Sequence, residues 1–216
     1  MKTILLVEDH SIVRMGVKLL IEDFLPSVNI VEAGTFNETL RQLQTRYFDL
    51  VLLDIRIPGG EAFQMITRIR EIQPKVKILI FSSQDEELYA IHYVRTGANG
   101  FLPKDSTNEE VEKAITSVLN GGTYISSIIQ DQLVNNTLLE RESKESPLEI
   151  LSNRELEIMD LLLTGKWTKD IATDLNIKES TVSTYKARIF EKLEVTNILE
   201  LFKKVEIYKR RQTGLN

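Results

Sequence analysis

"TILLVEDHSIV" (Thr3–Val13) runs four apolar residues, Ile4–Val7, straight into two acids, Glu8 and Asp9. An apolar run this short, with no polar alternation, suits a strand covered on both faces. The same figure recurs down the chain. Strands are expected at Thr3–Val7, Asn29–Ala33, Leu50–Asp54, Lys77–Ser82 and Gly100–Leu102. Between them, Ile12–Phe24, Phe36–Thr45, Ala62–Ile72, Glu86–Arg95 and Asn108–Asn120 carry apolar residues at three- and four-residue spacing, the helical period. Five alternating strand–helix units imply an α/β fold, a doubly wound parallel sheet.

The chain has 216 residues, room for one large domain or two small ones. A hydrophobic share of 42% is too high for a disordered chain. No run approaches the ~20 apolar residues of a membrane span. Glu8 and Asp9 interrupt any signal-peptide reading, so a cytoplasmic protein with no membrane partner is expected. There are no cysteines and only two histidines, His10 and His92, which excludes disulfides and Cys-based or His-rich zinc sites. Net charge is −5, yet from Lys186 onward eight basic residues face four acidic ones. That imbalance hints at an anionic partner.

After Gly121-Gly122 the pattern changes. A short helix is expected over Ser127–Leu138, and the charged stretch "ERESKESP" (Glu140–Pro147) reads as a linker. "LSNRELEIMDLLLTGK" then opens with a capping box, Ser152 and Glu155, ahead of an apolar face of Leu156, Met159, Leu162 and Leu163, and Gly165 stops the helix. Further helices are expected at about Lys169–Leu175, Glu179–Leu193 and Ile198–Lys209, making a second, all-α module. In the third of its four helices, Val182, Tyr185, Ile189 and Leu193 share one face and should point to the core. Ser180, Ser183, Thr184, Ala187 and Glu191 form another face, flanked by Lys186 and Arg188. Small and hydroxyl side chains permit close approach to a groove, and cations reach phosphates. A short helix, a turn and such a helix make a helix-turn-helix. On spacing alone a packing module that binds no nucleic acid stays equally open.

Ligands of an open parallel sheet bind beyond the carboxyl ends of its strands. Glu8 and Asp9 follow the first strand, Asp54 ends the third, Ser82-Ser83 end the fourth and Lys104 lies just past the fifth. Clustered carboxylates favour a hard cation such as Mg²⁺. Metal and ammonium together offset charge on a phosphoryl group, a hydroxyl donates to its oxygens, and Asp54 can be the nucleophile. Each acid alone is more simply a cap or turn residue; the combination is what points to chemistry.

"LLVEDH", "LVLLDIRIP", "ILIFSS" and "GANGFLPKD" together resemble the motifs of response-regulator receiver domains from two-component signalling, over about residues 1–122. The resemblance implies a flavodoxin-like sheet of order 2-1-3-4-5. It implies Mg²⁺ held by Glu8, Asp9, Asp54 and the backbone carbonyl of Arg56, with Asp9 the direct ligand and Glu8 acting through water, and His10 only starting the first helix. It further implies phosphoryl transfer to Asp54 from a sensor histidine kinase, a switch hydroxyl at Ser82, a switch aromatic at Phe101 that turns inward on phosphorylation, and a phosphoryl-binding ammonium at Lys104. The chain departs from the family pattern with Ala62 for Gly, Ile57 for Met before Pro58, and Phe101 for the commoner Tyr. Two alternatives stay open: a receiver that acts as a constitutive or ligand-gated dimer module, which Ala62 motivates, and a phosphatase-like enzyme with an Asp nucleophile. The second would carry another acid two residues on, where Arg56 stands.

"LSNRELEIMDLLLTGK", "KDIATDLNI" and "STVSTYKARIFEKL" are similar to the LuxR-type helix-turn-helix of the NarL/FixJ subfamily, over about residues 148–210. The organisation implied is a receiver (1–122), a linker with a short helix (123–147) and a DNA-binding domain (148–216). Ser183, Thr184, Lys186 and Ala187 fall where base-facing and nearby phosphate contacts occur, and Thr181, Arg188 and Lys192 where the DNA backbone is met. Ile198, Leu201 and Phe202 fall on a dimerisation helix, with core the simpler place for Leu201 and Val205. The implied whole is a phosphorylation-switched transcriptional regulator, not an enzyme, that binds two-fold related half-sites on double-stranded DNA as a homodimer. Trp167 stands where a small hydroxyl is usual and Lys178 where Ser or Thr often caps; packing of Trp167 against the linker or receiver stays open, and a packing role within the module is the simpler expectation.

Overall fold

The computed structural model describes residues 1–126, 129–130, 148 and 150–212. It divides into two units, Met1–Gln132 and Leu133–Asn216. The first holds five strands, β1 (Lys2–Val7), β2 (Val28–Ala33), β3 (Leu50–Leu53), β4 (Lys77–Ser82) and β5 (Gly100–Pro103), all parallel in the order β2-β1-β3-β4-β5. Between and after them run α1 (Ser11–Phe24), α2 (Phe36–Thr45), α3 (Ala62–Ile72), α4 (Glu86–Thr96) and α5 (Asn108–Leu119). Element types match the sequence reading throughout, and α2 and α3 match to the residue. Leu50–Leu53 are buried on both faces, which is why β3 reads as an unbroken apolar run. One face packs Ile4, Leu6, Leu50, Leu52 and Leu79 against Val17 and Ile21 of α1 and Val111, Ala114, Ile115 and Val118 of α5.

Register sets the site. Val7 lies opposite Leu53, so the residues that follow, Glu8 and Asp54, leave the sheet side by side. Asp54 N–H still donates to Val7 O at 2.9 Å, although β3 itself stops one residue before the expected end. Lys104 N–H donates to Ser82 O at 2.9 Å, tying the turn after β5 to the end of β4.

Hydrogen bonding in this unit continues beyond Gly122. Tyr124 bridges Gly100 in parallel sense, and Phe101 N–H donates to Tyr124 O at 2.9 Å, so one residue of the following segment protects the β5 edge. Gly100 is required there: a Cβ would lie 2.4 Å from Tyr124 O. The helix expected over Ser127–Leu138 lies, apart from residues 129–130, outside the described residues, as does the linker at 140–147.

The second unit contains α6 (Asn153–Leu163), α7 (Thr168–Asp174), α8 (Glu179–Lys192) and α9 (Ile198–Gln212). The capping box forms as read, with Ser152 accepting from Glu155 N–H and Glu155 reaching back to Ser152 N–H. Leu156, Met159, Leu162, Ile171, Val182, Ile189, Leu193, Leu201 and Val205 are buried. Two assignments shift. Leu163 is only half-buried while Ile158, which the expected face omitted, is fully buried. Tyr185 is half-buried, with the Arg188 guanidinium 5.9 Å above its ring, because a phenol at the margin of a small core can cover it without entering. No described helix is long and apolar enough to cross a membrane.

Candidate functional site

The acids cluster as the strand ends predict. One ligand atom from each of Glu8, Asp9, His10 and Asp54 lies within 4.8 Å of the others. The Glu8 side chain is fully buried and that of Asp54 nearly so, while Asp9 is partly exposed. Arg14, not singled out in the sequence, holds the turn: its Nη1 donates to Glu8 O at 2.6 Å and its Nε to Glu32 Oε2 at 3.0 Å. Its place one helical turn into α1, on the side of the acidic loop, was the only available signal. His10 is the N-cap of α1, as read, but makes no side-chain cap; its Nδ1 lies 2.8 Å from Asp9 Oδ1 and 3.1 Å from Glu8 Oε1.

Lys104 bridges the two buried acids, with Nζ 2.9 Å from Asp54 Oδ2 and 2.6 Å from Glu8 Oε2. Burial by itself pushes this ammonium down, but the partnership with Asp54 and Glu8 outweighs it and holds the pKa above its ordinary value. Arg56 N–H donates to Asp54 Oδ1 at 3.0 Å, so both acceptor oxygens of Asp54 are engaged. Three carboxylates against one ammonium leave the cluster with excess negative charge. Among the described residues, Glu8 Oε2 and Asp9 Oδ1 are buried and satisfied by no hydrogen bond within the usual geometry, although Lys104 Nζ and His10 Nδ1 lie close to them. Oxygen donors in this number and state fit a hard divalent cation.

Ser82 is fully buried at the end of β4, and its Oγ accepts from Gln84 N–H at 3.1 Å. Phe101 differs from expectation. It is already inward, with no exposed surface, and its ring stacks 5.9 Å from that of Tyr93, which in turn stacks 4.4 Å from Phe63. Without a hydroxyl, Phe101 has no polar atom to keep in water, so burial is favoured outright. The buried hydroxyl of this stack belongs instead to Tyr93, which donates to Gln84 Oε1 at 2.6 Å. Sequence reading missed this link; Tyr93 was one apolar residue among several on α4, and no spacing pairs it with the loop after β4. Ala62, in the place of Gly, begins α3 with no positive φ, so the exchange strains nothing.

On α8, Ser183, Thr184, Ala187 and Arg188 are exposed, and Thr181 and Lys186 partly so. Lys186 Nζ lies 5.5 Å over the Phe190 ring. Lys192, expected at the DNA backbone, is engaged in the framework: its Nζ lies 2.7 Å from Glu155 Oε2 and donates to Ile150 O at 3.1 Å. Burial would raise the Glu155 carboxyl, but Lys192 and the Ser152 hydrogen bonds hold it below its ordinary value. On α9, Ile198, Leu199, Phe202 and Ile207 are exposed, whereas Leu201 has no exposed surface. Leu201 therefore belongs to the core and not to a dimer seam; its face of α9 is the one turned to α6. Trp167 packs within no part of this unit as expected, since 79% of its surface is exposed.

The profile of the response regulator receiver domain matches residues 4–116, and that of bacterial regulatory proteins of the luxR family matches residues 149–205. Fimbriae Z protein of Escherichia coli strain K12 is 31% identical over 207 residues, covering 96% of this chain and 97% of its own. Response regulator UvrY of the same strain is 33% identical over 201 residues, covering 93% and 92%. Oxygen regulatory protein NreC of Staphylococcus carnosus is 32% identical over 204 residues, covering 92% and 94%. Among solved structures, RcsB from Salmonella enterica serovar Typhimurium, bound to promoter rprA in the presence of phosphomimetic BeF3-, gives a TM-score of 0.74 at 21% identity, covering 95% of this chain and 99% of that one, a likeness of fold. Five parallel strands in the order β2-β1-β3-β4-β5, an acidic cluster at their carboxyl ends and a helix-turn-helix after them thus coincide with both profiles, and the chain belongs to the two-component response regulators that join a receiver domain to a LuxR-type helix-turn-helix of the NarL/FixJ kind.

Proposed function

We propose that this chain is a DNA-binding transcriptional regulator switched by phosphorylation of Asp54. The observation that carries the reading is the bridge of Lys104 between two buried carboxylates, Glu8 and Asp54, beside a third, Asp9. Glu8, Asp9, Asp54 and the backbone carbonyl of Arg56 would hold Mg²⁺. When bound, the metal supplies charge neutralisation for the phosphoryl oxygens. A carboxylate oxygen of Asp54 attacks the phosphorus of a phosphohistidine on a sensor histidine kinase; the P–N bond breaks and an acyl phosphate forms. Lys104, already at the acceptor oxygen, turns its ammonium to the phosphoryl group, and Ser82 donates a hydrogen bond from its hydroxyl to a phosphoryl oxygen. The family's role as a transcription regulator fits a chain that performs no metabolic reaction of its own.

In the second unit we assign base-facing and nearby phosphate contacts to Ser183, Thr184, Lys186 and Ala187 and backbone contacts to Thr181 and Arg188. Lys192 is left out because its ammonium is held by Glu155. The partner is double-stranded DNA with two-fold related half-sites, met by a homodimer once Asp54 is phosphorylated. Ile198 and Phe202, with the exposed Leu199, offer the apolar seam. The boundaries proposed are a receiver at 1–122, a linker at 123–147 that begins with the Tyr124 edge contact, and a DNA-binding domain at 148–216.

Incubation with acetyl phosphate and Mg²⁺ tests this. Wild type should gain one phosphoryl mass and bind DNA more tightly, and Asp54→Ala should do neither. No adduct at Asp54 sinks the reading; rapid turnover of phosphate esters would favour an enzyme.

A further inference from the structure

The single tryptophan of the chain, Trp167, holds the N-cap position of α7 in an extended backbone conformation, and its side chain makes no cap hydrogen bond. A small hydroxyl in that position accepts a hydrogen bond from the first turn and stabilises a helix start relative to an apolar residue. The indole therefore gives up a cap, and with most of its surface exposed it gains nothing by burial in return. A large flat side chain with an apolar body and one N–H is suited to an interface.

Its place in the fold says which interface. The next residue, Thr168, donates its hydroxyl to Glu179 Oε1 at 3.3 Å, and Glu179 is the first residue of α8. The start of α7 is thereby tied to the start of α8. In a helix-turn-helix the N-terminal residues of the second helix meet base edges while the first helix crosses the sugar–phosphate backbone. Trp167 stands at the corner between the two. Local charge does not supply the grip there. Lys166 is paired with Asp174, and by count the acids Asp170 and Glu179 equal the nearby Lys169 and Lys178, so the corner has no net positive charge.

We propose that Trp167 is a DNA contact of this chain, packing its indole against a deoxyribose at the edge of the major groove and donating Nε1–H to a phosphate oxygen. The contact takes the place of the small hydroxyl usual at this position and is blind to sequence, since sugar and phosphate carry no base identity. The inference rests on the reading of α8 as the recognition helix, and its test separates the two.

The full-length protein, with and without acetyl phosphate and Mg²⁺, is titrated against a short fluorescein-labelled duplex of mixed sequence at low salt. Anisotropy reports binding; tryptophan emission and its quenching by acrylamide report Trp167 alone. The expected result is a blue shift and reduced quenching in step with the anisotropy. Trp167→Ser, which can restore the cap and so fold, should weaken binding about fivefold or more. The salt dependence should keep its slope, because no charge is removed. Rising anisotropy with unchanged emission and quenching would overturn the contact and leave DNA binding standing. A blue shift on acetyl phosphate before any DNA is added would also overturn it, by showing that protein covers the indole. No anisotropy change in either state would bring down both readings.

Discussion

Replacing Lys104 with Met keeps the length of the side chain and removes the only ammonium that touches Glu8 and Asp54 among the described residues. At 2.6 and 2.9 Å and an effective dielectric of ~20, each contact has a gross attraction of about 6 kcal/mol. Most of that is offset by the desolvation of the ammonium. What remains after one partner is deleted is the cost of stranding buried charge, about 3–5 kcal/mol. Lys104 is itself about one-fifth exposed, so water screens part of the contact and the lower end, about 3 kcal/mol, is expected. For a unit of this size that is a fall in Tm of roughly 10 °C. Mg²⁺, on the proposed reading, would neutralise the same oxygens and would have no ammonium to compete with in the variant. It should therefore raise the Tm of Lys104→Met more than that of wild type; at ten times its Kd the gain is about 1.4 kcal/mol. Calorimetry in chelator and then in Mg²⁺ makes the measurement. A variant within about 2 °C of wild type in chelator, or equal metal increments in both proteins, would refute the argument that Lys104 neutralises a site built for a dication.

Four further outcomes are expected. Leu201→Ala should cost about 3 kcal/mol of stability in the second unit while Phe202→Ala stays within about 0.5 kcal/mol, read by urea unfolding, because only the first is core; the reverse order would return Leu201 to the dimer seam. Burial raises the Glu155 carboxyl, but Lys192 and Ser152 lower it further, so its contribution is whole above the ordinary value of 4.5 and is lost as pH falls through the lower folded value; Glu155→Gln should remove that acid step from the second unit's unfolding profile. Gly100→Ala puts a methyl group 2.4 Å from Tyr124 O and should cost about 2 kcal/mol or release the edge contact, seen as faster hydrogen exchange at Phe101 N–H. Tyr93→Phe deletes the donor to Gln84 and should cost about 1 kcal/mol, with faster exchange confined to the loop after β4.

The sheet was legible because its central strands are buried on both faces and read as bare apolar runs bounded by turns, with β3 the clearest case, whereas the edge strand β2 is only half-buried and carries Asn29 and Glu32. The acidic cluster was legible for a related reason: carboxylates have no packing role at the end of such a run. What the sequence did not disclose depends on distances between elements. That Glu8 lies fully buried against Lys104 is one such case, since no spacing pairs the end of the first strand with the turn after the fifth. Lys192 looked like a free cation because its partner Glu155 sits 37 residues away on another helix. Trp167 was expected to pack within the module, and no periodicity in a seven-residue helix could have shown that most of its surface is exposed.

The inward Phe101 bears on how the proposed phosphorylation switch would work. A phosphoryl group can move an equilibrium only as far as it distinguishes the two states. A tyrosine in this place would have a hydroxyl to desolvate, which balances inward and outward positions and leaves the choice to Asp54. A phenylalanine has none, and burying its ring contributes about 1.5–3 kcal/mol to the inward position whatever the state of Asp54. Its rotamer would therefore be a poor reporter of the proposed phosphorylation. The polar, and so breakable, contact on the same stack is Tyr93 to Gln84, and Gln84 N–H also donates to the hydroxyl of Ser82. Any pull that a phosphoryl group exerts on Ser82 reaches α4 through that loop without Phe101 having to turn. Coupling by hydrogen bonds of about 1 kcal/mol each permits a shift of several-fold in the population of α4 conformations, not an all-or-none change. On that scale the switch has to be completed by an event that adds free energy of its own, which is what pairing of two phosphorylated chains on DNA would supply.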